Sequence, residues 1–187
     1  DINLVKEFIG NKNIFISGAA GSIGSELSRQ VAKFNPASLI LLDWDETGIF
    51  NIVQELKYKF PSLKIKSFVA DIKDVEKLNR VLKNSKPEII FHAAAYKHVP
   101  LMEDQPDEAV KNNILGTKSL ALSAIDNNVR VFINISTDKA VNPSSVMGCA
   151  KRVCEMICQS LNQENKTRFI SVRFGNVLNS RGSIIPV

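Results

Sequence analysis

No apolar run in this sequence approaches the ~20 residues that a membrane-spanning helix needs. The chain starts Asp1-Ile2-Asn3-Leu4, with no basic segment ahead of an apolar stretch. Neither a transmembrane helix nor a secretory leader is therefore expected within these residues. Long runs of Lys and Arg are missing too: Lys plus Arg is 24 against 19 for Asp plus Glu, a net charge of +5. That balance excludes a nucleic-acid stripe and suits an anionic small molecule such as a nucleotide. Cysteine is scarce, with only Cys149, Cys154 and Cys158, an odd set in one stretch. This is no disulfide framework, and with no histidine nearby a metal site is not expected. The three are read as reduced, mostly packed thiols of a cytoplasmic protein. Internal repeats, low-complexity tracts and linkers are absent. What remains is a globular balance, 44% apolar and 23% charged over 187 residues, enough for one domain and a fragment of a second.

Strand-like and helix-like segments alternate along the chain. Asn13 to Ser17 is a short apolar run followed by glycines, and reads as a buried strand. Ile23, Leu27, Val31 and Phe34 recur at helical spacing, which predicts a helix over Ser22 to Phe34. Further strands are expected at 39–42, 64–69, 88–92, 130–135 and 168–174. Helices are expected at 46–58, around Val75, Leu78 and Leu82, over the long stretch 107–127, and at 146–161. Short apolar strands alternating with amphipathic helices imply an α/β fold with a parallel sheet covered on both faces. Right-handed crossovers make the doubly wound, Rossmann-like dinucleotide-binding fold the leading topology. One domain is expected over 1–174, with 175–187 the start of something else. The missing first methionine and the interrupted apolar segment Ser183 to Val187 suggest a piece of a longer protein.

Gly18-Ala19-Ala20-Gly21-Ser22-Ile23-Gly24 lies between the first strand and first helix, the context a dinucleotide-binding turn requires. Gly18 permits the tight turn, Gly21 lets the backbone approach a pyrophosphate, and Gly24 lets helix and strand pack closely. The following helix offers free N–H groups and partial positive charge to phosphates. The three glycines are spaced as in short-chain dehydrogenases. Asp43 ends the second strand, where a carboxylate accepts hydrogen bonds from the adenosine ribose. It would repel the extra phosphate of NADP, and no Lys or Arg follows in Trp44-Asp45-Glu46-Thr47, so NAD is favoured. The competing role for Asp43 is a cap on the next helix. Asp71 could meet the adenine edge or cap a helix.

Ligands in this fold bind outside the carboxyl ends of the strands. The fourth strand runs into His92-Ala93-Ala94-Ala95-Tyr96-Lys97-His98, whose alanines allow close passage of a cofactor. The fifth runs into Ser136-Thr137-Asp138-Lys139. Adjacent acid and base at a strand end can take a proton from one atom and expel a leaving group from its neighbour, though a solvated surface turn has the same composition. Met147 and Lys151 are four apart on the next helix and share a face. Short-chain dehydrogenases carry tyrosine and lysine at that spacing. A thioether is neither acid nor base, so another group must move the proton, with Thr137, Asp138 and Lys139 the candidates the sequence offers.

The stretches Gly18–Leu27 (GAAGSIGSEL), His92–Pro106 (HAAAYKHVPLMEDQP), Ser136–Lys151 (STDKAVNPSSVMGCAK) and Arg173–Ser183 (RFGNVLNSRGS) together resemble the bacterial polysaccharide-biosynthesis nucleotide-sugar dehydratases. These are extended short-chain dehydrogenase/reductase enzymes. The branch most resembled is the membrane-anchored UDP-N-acetylglucosamine 4,6-dehydratases, which also carry methionine in place of tyrosine. The resemblance implies an internal redox dehydration using NAD. Lys139 would take the C5 proton, Asp138 would protonate the departing C6 hydroxyl, Thr137 would hydrogen-bond the C4 oxygen, and Lys151 would orient the nicotinamide ribose beside Met147. Asp138 and Lys139 could exchange roles.

It also implies cofactor contacts from Gly18, Ala20, Gly21, Ser22, Ile23, Gly24, Asp43, Asp71, Ile72, Ala93, Ala94, Ala95 and Asn113. Substrate contacts would come from Lys97, His98, Ser136, Asn176 and Arg181. Relatives have transmembrane helices before this domain and a sugar-nucleotide lobe after the sixth strand, so residues 175–187 would begin that lobe. The full-length protein would then sit at the cytoplasmic face of the inner membrane. These 187 residues would bind cofactor without efficient turnover. By fold analogy a homo-oligomer is expected.

Overall fold

The computed structural model describes residues 2–162 and 167–177. Six parallel strands form one sheet in the order β3-β2-β1-β4-β5-β6. They are β1 (Asn13–Ser17), β2 (Ser38–Asp43), β3 (Ile65–Val69), β4 (Ile89–His92), β5 (Val131–Thr137) and β6 (Arg168–Phe174). The order reverses between β1 and β4, and at such a switch point the crossovers diverge to opposite faces and leave a crevice. The doubly wound fold expected from sequence is the fold found.

Alternation along the strands builds two cores. Phe15, Ile40, Leu42, Ile90, Phe132 and Phe169 face α4 (Val75–Ser85), α7 (Gly116–Asp126) and α8 (Val146–Leu161). Ile14, Ile16, Leu39, Leu41, Ile89 and Ile133 face α1 (Ile2–Ile9), α2 (Ser22–Ala32) and α3 (Glu46–Lys59). The central strands are buried on both faces, which is why they read as unbroken apolar runs.

Three differences from the sequence expectation stand out. The amphipathic helix α1 was not anticipated, and neither was the short helix α5 (Val99–Asp104) after β4. The long helix expected over 107–127 is three pieces: α6 (Pro106–Glu108), a π-helical turn (Ala109–Leu115), and α7. The wide turn changes which side chains face the sheet, an effect that a 3.6-residue period cannot reveal. Among the described residues no helix is long and apolar enough to cross a membrane.

Candidate functional site

The glycine turn is built for close approach. Gly18 has φ of 70°, and a Cβ there would lie 2.5 Å from the backbone nitrogen of Ala94. A Cβ on Gly24 would lie 2.0 Å from the Gly18 carbonyl oxygen, so helix α2 can sit this close to β1 only without one. Gly21 is the N-cap of α2 and offers no side-chain cap. The first turn of α2, Ser22 to Gly24, lines the crevice, and a helix N-terminus is a ready anion site.

Beside this turn a cavity of about 210 Å³ is lined by Gly18, Ala20, Asp43, Trp44, Asp71 and Ile72 among others, with Ala93 to Ala95 along its other side. Asp43 is buried, accepting from the backbone N–H of Ala20 at 2.9 Å and of Asp45 at 3.0 Å. It does not cap the next helix: Asp45 does, accepting from Gly48 N–H at 3.0 Å. Asp71 is likewise not the cap of α4, a role Asp74 fills. Its carboxylate accepts from Lys73 N–H at 2.8 Å and pairs with the Lys73 ammonium at 3.3 Å. Asp43, Asp45 and Asp71 thus crowd one half of the crevice, where no Lys or Arg among the described residues lines the wall. Ser22, Ile23 and Gly24 line an adjoining cavity of about 520 Å³ together with Lys97 and His98.

The other half, about 270 Å³, is lined by Ile23, Tyr96, Lys97, His98, Ser136, Thr137, Lys139, Met147, Lys151 and Asn176 among others. At the end of β5 the Thr137 hydroxyl donates to Asp138 Oδ1 at 2.9 Å, and Lys139 Nζ donates to the same oxygen at 3.3 Å. Thr137 first and Lys139 second hold the Asp138 carboxyl below its usual range. Lys139 also donates to Asn176 Oδ1 at 3.1 Å, tying the loop after β6 to the pair. Lys139 faces the cavity; Asp138 sits behind it, more exposed. Lys151 is buried, its Nζ donating to the Ile135 carbonyl at 2.6 Å, and burial lowers its pKa.

Two of the expected site residues hold protein partners. Ser136 lines the cavity and is 3% exposed, its hydroxyl donating to Glu155 Oε1 at 2.6 Å. Asn113 is wholly buried and does not line the dinucleotide cavity; its neighbour Asn112 does. The Asn113 amide instead grips the Tyr96 backbone, accepting from its N–H at 2.8 Å and donating to its carbonyl at 2.9 Å. Both asparagines lie within the π-helical turn Ala109–Leu115. Arg181 lies outside the described residues.

Two groups escaped the sequence reading. Tyr96 follows the alanine run directly, which was the available signal, and it lines all three cavities. Glu155, one turn after Lys151, is 7% exposed and receives Arg173 through two bonds of 2.8 and 2.6 Å. Arg173 first, with Ser136 and Arg152, holds its carboxyl down to about 2. This clamp fixes the ends of β5 and β6 onto α8. Among the described residues no three His, Cys, Asp or Glu side chains are placed to hold a metal.

The fold and crevice are those of the extended short-chain dehydrogenase/reductases. Residues 14–187 match the family described as polysaccharide biosynthesis protein, and the chain belongs to that family. It is 51% identical to the capsular polysaccharide biosynthesis protein CapD of Staphylococcus aureus, covering 100% of this chain and 32% of that protein. A UDP-N-acetylglucosamine 4,6-dehydratase (inverting) of Campylobacter jejuni is 34% identical over 94% of this chain and 52% of its own length. The solved structure of Pen from Bacillus thuringiensis superposes with a TM-score of 0.85 at 32% identity, over 95% of this chain and 54% of that one. Proteins named UDP-glucose 4-epimerase are similar as well. The chain thus spans about a third to a half of the relatives it matches.

Proposed function

We propose that this chain is the catalytic domain of an NAD-dependent UDP-N-acetylglucosamine 4,6-dehydratase serving surface-glycan synthesis. One observation carries the reading: Thr137, Asp138 and Lys139 are hydrogen-bonded to one another at the end of β5, with Lys139 facing the cavity that holds Met147 and Lys151. An epimerase inverts one carbon and has no use for a neighbouring acid and base that expel water.

The crevice fits a dinucleotide. The uncapped α2 N-terminus and Gly18-to-Gly24 turn would hold the pyrophosphate, and Asp43 the adenosine ribose. Ile72 and Asp71 would flank the adenine, Ala93 to Ala95 would allow close passage, and Lys151 would hold the nicotinamide ribose. Three carboxylates in the adenosine half repel a 2′-phosphate, so NAD is preferred over NADP. When bound, NAD supplies an acceptor for the C4 hydride and returns that hydride within the same turnover.

The remaining steps belong to this chain. In the free site Asp138 is a carboxylate and Lys139 its hydrogen-bond donor. Moving one proton across that 3.3 Å contact gives a carboxylic acid beside a neutral amine. The amine takes the C5 proton, made acidic by the C4 ketone, and the acid protonates the leaving C6 hydroxyl. Thr137 hydrogen-bonds the C4 oxygen, while Lys97, His98 and Asn176 meet the substrate. Arg181 and residues 175–187, as the start of a sugar-nucleotide lobe, belong to the same proposal, as does a cytoplasmic-face location. A homo-oligomer is part of it too, with Leu122, Val153 and Met156 exposed on α7 and α8.

Incubating the full-length gene product with UDP-N-acetylglucosamine should give a product lighter by one water on mass spectrometry. An unchanged mass with a new sugar stereoisomer would mark an epimerase instead. Asp138→Asn with Lys139→Ala should abolish water loss and leave NAD binding within about twofold; the reading fails if dehydration persists.

A further inference from the structure

Met147 leaves the α8 position without a group that can exchange a proton, yet the cavity contains a phenol from another element. Tyr96 lines it together with Thr137, Lys139, Met147 and Lys151. The ring packs against the cluster made by Met102, Ala109, Met147 and Ala150. Its backbone is held on both polar sides by the buried amide of Asn113, at 2.8 and 2.9 Å. Such a grip fixes the direction in which the side chain leaves the main chain. The phenol hydroxyl itself takes no hydrogen bond among the described residues. A half-buried, unpaired hydroxyl in the substrate cavity is a group awaiting a partner.

We propose that Tyr96 is the catalytic residue that receives the proton of the sugar C4 hydroxyl, supplying from the end of β4 the phenol that Met147 removes from α8. The inference rests on the dehydratase reading above. In the step, the C4–H bond breaks and hydrogen leaves with both electrons to the nicotinamide ring of the bound dinucleotide. The O–H bond at C4 breaks, its electron pair becomes the second bond of the carbonyl, and its proton bonds to Tyr96 Oη, which enters as phenolate. When the hydride returns to C6, the Lys139 ammonium gives its proton back to C5; the C4 proton then passes from Tyr96 to the Asp138–Lys139 pair, replacing the one spent on the C6 hydroxyl, and the phenolate is restored. The charged and titratable groups sharing these cavities are Lys97, His98, Lys139 and Lys151, with Glu108. The carboxylates of the adenosine half line the third cavity.

In the full-length gene product, Tyr96→Phe should bind NAD as before, yet slow single-turnover hydride transfer from the sugar by roughly a hundredfold. Adding Met147→Tyr should restore much of it, a rescue that a packing role for Tyr96 would not produce. Full-rate transfer in Tyr96→Phe overturns the proposal. If the unsubstituted protein binds NAD but takes no hydride from the sugar, the dehydratase reading fails and this inference fails with it.

Discussion

His92 shows what a titratable residue means once its neighbours are known. It is fully buried, with Nδ1 2.7 Å from the Ser17 hydroxyl and Nε2 2.8 Å from the Thr117 hydroxyl. Both ring nitrogens are satisfied by hydroxyls that can donate or accept, so the neutral ring is comfortable and the cation is not. Burial first, then the charge of Lys151, pushes its pKa down to about 3. The unfolded chain thus takes a proton, below pH 6.5, that the folded chain refuses. Stability should fall by about 1 kcal/mol between pH 7.5 and 5.5 in urea titrations, and His92→Asn should flatten that slope. Glu155 adds a second loss at lower pH. Its carboxyl is held near 2 against a usual 4.5, so its contribution, present above 4.5, disappears as pH falls toward 2.

At the same scale the sequence singled out Asp43 and Asp71 but left cap and ligand roles open. The choice depended on Asp45 and Asp74 capping α3 and α4. Which of two nearby carboxylates meets a helix N–H is set by φ and ψ at each, a matter of local backbone that composition does not encode.

Among elements, the unit strand β1, glycine turn and helix α2 carries its own instructions. Its glycines were legible because each answers a steric demand of the turn or of helix packing. Gly24→Ala would drive a methyl into the Gly18 carbonyl. About 3 kcal/mol of destabilisation is expected by thermal melts, with NAD affinity lost as the first turn of α2 shifts. Helix α8 was also read to the residue, since Met147, Lys151 and Cys154 repeat on one face. The π-helical turn was not. Seven residues with a wider hydrogen-bond ladder move Asn113 from the crevice onto Tyr96, and nothing in the run Ala-Val-Lys-Asn-Asn-Ile-Leu announces it.

At the scale of the whole molecule, accessibility separates groups that look alike in sequence. Cys149 is exposed, whereas Cys154 and Cys158 are buried against the sheet. Cys154 donates its thiol hydrogen to the Asn113 carbonyl at 3.1 Å, and burial lifts Cys158 to about 12. A thiol reagent should therefore titrate one cysteine in the native chain and all three after denaturation. Fast reaction of a second thiol without denaturant would show that α8 opens locally.

The strands, their parallel pairing, the glycine turn and the placing of the Ser136-Thr137-Asp138-Lys139 run at the end of β5 follow from sequence alone. Each is a local pattern of unbroken apolar runs and fixed spacings. The Tyr96 phenol beside Met147, the Asn113 grip and the Glu155–Arg173 clamp were decided only by tertiary structure. They join residues 17 to 51 positions apart, and only the crossovers of the sheet and the widened turn bring such residues within hydrogen-bond or packing distance.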